Sequence, residues 1–164
     1  MRFYRADECE EWLAGLGRSK PNAQPGLLCY ETGYPREPYR FYAIASWIAS
    51  TVGYRQPVLL WVTEWGIWSG SENWQLYYRL RHTYGDYRLL HEAPGHLFLD
   101  YEMEDLTSFL QLAMLNGWGG YVLTKAGYAN LFFSHDEFIQ FYSEDQRLVD
   151  EARTAMEDSG LKTP

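Results

Sequence analysis

Apolar residues recur along this chain at helical spacing in some segments and in short, nearly continuous runs in others, and the two kinds of segment alternate. Asp7 with Glu10 marks a helix start, Cys9, Leu13 and Leu16 follow at three- and four-residue intervals, and Gly17 ends the pattern. Pro38 stands where a first helical residue belongs. Phe41, Ile44, Ala45, Ile48 and Val52 then form one stripe that closes at Gly53. Ser69 with Glu72 has the spacing of a capping box, ahead of Leu76, Tyr77, Leu80 and Tyr84 and a terminating Gly85. Asp100 precedes Glu102, Glu104 and Asp105, which suit the positive end of a helix dipole. Leu106, Phe109, Leu110 and Ala113 form the buried face, and Gly117 the stop. Ser134 with Glu137 predicts one more helix start, restarted or continued from Ser143 and Gln146 toward Asp158.

Between the stripes lie shorter runs. Leu27–Glu31 reads as a strand. Val58–Thr63 is almost wholly apolar and reads as a central strand buried on both faces. Leu89–Glu92 and Leu97–Asp100 flank Ala93-Pro94-Gly95, and Tyr121–Lys125 and Leu131–Ser134 flank a second turn at Gly127 to Asn130, so each pair predicts a hairpin. The loop-like stretches from Gly17 to Gly26 and Thr32 to Pro38 are too short to divide the chain. The fold class expected is α+β over residues 1–164 as one globular domain: a mixed, partly antiparallel sheet of about five or six strands covered by about five helices. An α/β three-layer sandwich is the alternative.

Composition adds three constraints. Tyr, Phe and Trp number 14, 8 and 7, or 18% of the chain, enough for a thick core, an adhesive surface, or both. The net charge of −8 lies entirely in residues 100–164, which carry 12 acidic and 4 basic residues, whereas residues 1–99 carry 10 of each. Phosphate is repelled by such a surface, so no nucleic acid is expected, and a basic protein partner is favoured. Cys9 and Cys29 make no disulfide framework, and neither a secretory leader nor a membrane span is apparent. A soluble protein of the cytoplasm is the expectation.

The strings that look catalytic have simpler explanations. Ser134-His135-Asp136-Glu137 is covered by the capping box. His91 to His96 superficially resembles a zinc-protease motif, but the histidines are five apart and Pro94-Gly95 breaks any helix between them. Gly117-Trp118-Gly119-Gly120 lacks the Lys and hydroxyl of a phosphate loop, and no nucleophile elbow is present. No catalytic set, metal or cofactor is expected. The segment that stands out is Trp61 to Trp74, with four Trp in 14 residues across a strand end and a helix start. Glu64, Trp65, Trp68, Glu72 and Trp74 are the candidate binding residues, because Trp is enriched at binding hot spots. The function expected is a non-enzymatic intracellular protein-binding module, of an inhibitor or immunity type, for a basic partner. The alternatives are a small hydrolase-like enzyme with a site built from His82, His91, His96, His135 and carboxylates including Glu64, or a small-ligand binder with an aromatic-lined pocket.

Overall fold

The computed structural model describes residues 1–18, 26–66, 74–125 and 129–160. Among them are seven strands, β1 (Arg2–Tyr4), β2 (Leu28–Gly33), β3 (Val58–Glu64), β4 (Gly95–Phe98), β5 (Gly119–Thr124), β6 (Asn130–Phe133) and β7 (Phe138–Ser143). The five helices are α1 (Ala6–Ala14), α2 (Arg40–Val52), α3 (Trp74–Thr83), α4 (Met103–Leu115) and α5 (Gln146–Asp158). The strands form one sheet in the order β1-β4-β3-β5-β6-β7-β2, with every pairing antiparallel. The α+β expectation holds, with seven strands in place of five or six and every described pairing antiparallel rather than mixed; the α/β three-layer alternative does not hold. No helix among the described residues is long and apolar enough to cross a membrane.

β3 lies inside the sheet and is buried on both faces, as its composition dictates. Val58, Leu60 and Val62 join the main core with α2, α4 and α5. Leu59 turns to the other face, where Leu97, Leu123, Cys9 and Leu13 make a smaller core under α1. The α2 and α4 stripes are buried as their spacing requires. α4 ends in a left-handed Gly117 (φ 63), so that the Trp118 N–H reaches back to the Ala113 carbonyl at 3.0 Å.

Four expectations need correction. Ser134 and Glu137 do not start a helix. They form the turn between β6 and β7: the Ser134 hydroxyl accepts from the Asp136 N–H at 3.1 Å, and Glu137 takes φ 65. The hydroxyl that would cap a helix serves a turn equally well. The following Phe-Ile-Gln-Phe-Tyr-Ser alternates half-buried and buried side chains, which is the period of a strand. Leu89–Glu92 is a turn rather than a strand, because the Glu92 carboxylate accepts from the Leu89 N–H at 2.7 Å and the Ala93 N–H bonds the Leu89 carbonyl. β1 was not anticipated at all. Finally, the buried side of α3 carries Tyr77 and Arg81, while Leu76 stands 53% exposed. The capping pair Ser69 and Glu72 lies outside the described residues.

Arg81 tolerates full burial because both terminal nitrogens of its guanidinium are engaged, although its buried Nε finds no partner among the described residues. It donates to Tyr77 Oη at 3.1 Å, to the Ala93 carbonyl at 3.1 Å and to Asp86 at 3.0 Å, and its guanidinium lies over the Phe3 ring at 4.7 Å. Tyr77, accepting from Arg81, donates to His96 Nε2 at 2.5 Å, which leaves the imidazole proton on Nδ1, 3.4 Å from the Leu60 carbonyl. This chain of polar groups fastens α3 to the β1–β4 edge of the sheet.

Candidate functional site

The helices cover the two sheet faces unequally. α1 shields the face carrying Leu59, Leu97 and Leu123, but its cover thins toward β6, β7 and β2. Register places Trp61, Tyr121, Phe132, Gln140 and Glu31 side by side in one row across five strands of that face. Phe138 and Tyr142 flank Gln140 on the same side, by strand alternation. Tyr121, Phe132, Phe138, Gln140 and Tyr142 are half-buried, and Cys29 and Glu31 are exposed. The rings touch in sequence: Tyr121 and Phe132 centroids lie 5.0 Å apart, and Phe132 and Phe138 5.8 Å. Tyr142 donates to Gln140 Oε1 at 2.6 Å, and Gln140 donates to Glu31 at 2.6 Å, so the polar end of the row is held in one arrangement.

An acidic cluster closes the other end. Glu64, at the tip of β3 beyond an irregularity in the β3–β5 register, accepts from or shares a proton with His135 Nδ1 at 2.7 Å. His135 Nε2 faces Asp136 at 3.4 Å. The Glu64 carboxylate occupies the space where a side chain at position 119 would stand, so Gly119 is what lets it lie over β5. Burial, and then the nearby Glu64 charge, push the Tyr121 phenol above its ordinary range.

Of the residues singled out in the sequence, Glu64 stands on this face. Trp65, its neighbour, turns the other way and packs half-buried against the main core. Trp74 stacks on Tyr78 (5.9 Å, 20°) and leans on the buried Trp118 (5.1 Å). Trp68 and Glu72 lie outside the described residues. The four histidines do not converge. His82 and His91 are exposed on separate elements, and His96 is wholly buried. Burial, reinforced by the Arg81 charge, drives the His96 imidazole down to about 3, so it is neutral. No group of three or more potential ligands among the described residues is placed to hold a metal ion.

The aromatic row was not legible beforehand. Its members are scattered over five strands, and only register brings them together. The one local signal was the two-residue alternation of Phe138 to Ser143. On the opposite face, a groove of about 760 Å³ between α2 and α5 has Trp47 against Asp150, Glu151 and Asp158, which places part of the C-terminal acidic excess on the outer side of α5.

No family model, curated protein or solved structure matches this chain.

Proposed function

We propose that this chain is a non-enzymatic protein-binding module, acting in the cytoplasm, that engages a basic partner through the half-open face of its sheet. The observation that carries this reading is the make-up of that face: contacting rings of Tyr121, Phe132 and Phe138, bounded by the carboxylates of Glu31, Glu64 and Asp136. The strand positions of β2, β5, β6 and β7 contain no Lys or Arg. Ring faces attract guanidinium and ammonium groups, and carboxylates at the rim select for them. Trp65 and Trp74 pack against the main core, so Glu64 is the described member of the Trp-rich segment that meets the partner.

The test is affinity capture from the protein's own cells followed by mass spectrometry, repeated with Phe132→Asp and with Glu31→Lys/Glu64→Lys. A basic protein captured by the parent chain, lost in both variants and weakened by salt, is the expected result. Capture that survives both variants at full strength refutes this site.

One observation favours a second reading. An imidazole with a carboxylate on each nitrogen, as at Glu64–His135–Asp136, is an arrangement that serves general acid–base chemistry. A hydrolase screen in which turnover disappears on His135→Ala and falls steeply on Glu64→Gln would establish it. Absence of any turnover that depends on His135 removes it.

A further inference from the structure

The helical stripe of α3 predicts burial of Leu76 and Leu80, yet α3 is rotated so that Tyr77 and Arg81 enter the core instead. The cause is the polar chain Asp86–Arg81–Tyr77–His96, which commits that side of the helix to the sheet edge. Leu80 stays half-buried against the rim of the main core, and Leu76 stands 53% exposed. Leu76 and Leu80 line a groove of about 380 Å³ whose opposite wall is Leu112 and Gln111 of α4. Leu115, 38% exposed, lies one helical turn beyond Leu112. Among the described residues, Arg79 is the only charged side chain lining the groove, and it has no ion-pair partner there.

The geometry points to this α3–α4 groove as a docking site for an amphipathic helix of a partner protein that sets an acidic residue against Arg79. The two walls run antiparallel, since Tyr84 at the end of α3 bonds Asp105 at the start of α4. The α3 wall runs from Leu76 to Thr83, seven steps and about 10 Å of helix rise, or two turns; the α4 wall runs from Ser108 to Leu112, and the exposed Leu115 continues that helix one turn further. That length accepts apolar anchors at i, i+4 and i+7 of a third helix, the pattern by which helices enter apolar grooves. The rim hydroxyls are already used: Thr83 donates to the Leu80 carbonyl at 2.7 Å and Ser108 to the Glu104 carbonyl at 3.0 Å, so neither competes for the incoming helix. Charge decides between occupants. A second copy of this chain docking by its own groove would bring Arg79 toward Arg79 across the two-fold, whereas an acidic partner helix neutralises it. This surface is independent of the sheet face and has the opposite charge preference.

The experiment titrates fluorescent helical peptides into the full chain and reads anisotropy. Three peptides share a leucine spacing of i, i+4 and i+7. The first carries Glu where it faces Arg79, the second Lys, and the third has its leucines replaced by Ser. The Glu peptide is expected to saturate at one per chain, about five- to tenfold tighter than the Lys peptide, with the Ser peptide silent. Leu112→Ser, checked for native circular dichroism, should abolish binding. Arg79→Glu should retain binding and reverse the preference to the Lys peptide, a result that a merely destabilised variant does not give. Equal affinity for the Glu and Lys peptides overturns the proposal, as does undiminished binding to folded Leu112→Ser. So does a dimer in sedimentation equilibrium that Leu112→Ser dissociates, since the occupant would then be a second copy.

Discussion

Glu64 and His135 are separated by 71 residues in the chain and by 2.7 Å between Oε2 and Nδ1. The contact ties the end of β3, where the Trp-rich segment begins, to the turn between β6 and β7. Both side chains keep solvent access, at 42% and 26%, so the pair contributes little to stability. Glu64→Gln is expected to cost less than about 1 kcal/mol in urea denaturation. Its local effect is the larger one. The His135 ring resonances should move in the NMR spectrum, and Gly119→Ala, which forces the Glu64 carboxylate off β5, should move them too. Unchanged His135 resonances in both variants would contradict the pairing.

His96 makes stability depend on pH in a window set by one group. Its pKa is held near 3 in the folded protein, because burial and the Arg81 charge oppose the imidazolium, against about 6.5 unfolded. The unfolded chain therefore takes up a proton that the folded chain refuses. The resulting stability is complete above pH 6.5 and declines as pH falls toward 3, at up to roughly 1.4 kcal/mol per pH unit. Between pH 6.5 and 5, where most carboxylates are still ionised, chemical denaturation of the parent chain should show this slope, and His96→Gln should flatten it.

Loss of Arg81 would leave buried polar groups without their partners. Arg81→Met removes the donors to Tyr77 Oη and the Ala93 carbonyl and the buried partner of Asp86. A destabilisation of about 3–5 kcal/mol is expected from urea midpoints. Arg88 keeps Asp86 partly satisfied, with its Nε 2.9 Å from the carboxylate, so the value should fall at the lower end. Burial raises the Asp86 carboxyl, but the hydrogen bonds from Arg88 and Arg81 outweigh it and hold the group below its ordinary value. Stability from this pair is therefore present above pH 4 and lost in stronger acid.

Gly53, the residue that follows α2, lies against Met103 at the start of α4. Its φ of −83 suits any residue, but a Cβ there would overlap the Met103 sulfur and stand 2.7 Å from the Ala49 carbonyl. Gly53→Ala should destabilise by about 1–3 kcal/mol through overpacking, despite the better helix propensity of Ala. Pairing it with Met103→Ala should recover part of the loss, and a double mutant no better than the sum of the singles would show that the clash is not with Met103.

Local pattern was enough to specify much of this protein. The stripes of α2 and α4, their glycine stops and the apolar run of β3 each encode an element and its buried side, because the side-chain period of a helix or strand depends on neighbours three, four or two residues away. Where a motif had two local solutions, sequence could not choose: Ser134 to Glu137 suits a helix cap or a turn, and long-range pairing of β7 with β6 and β2 selected the turn. Tertiary structure decided which side of α3 is buried, since Arg81 and Tyr77 are acceptable inside only when the Ala93 carbonyl, the Phe3 ring and His96 arrive from the sheet edge to meet them. It alone set the row from Trp61 to Glu31, because strand register, not spacing, brings five distant residues into line. And from the candidate set of four histidines and Glu64, it alone selected Glu64 and His135 as the pair that meets, with room for the Glu64 carboxylate left by the absence of a side chain at Gly119.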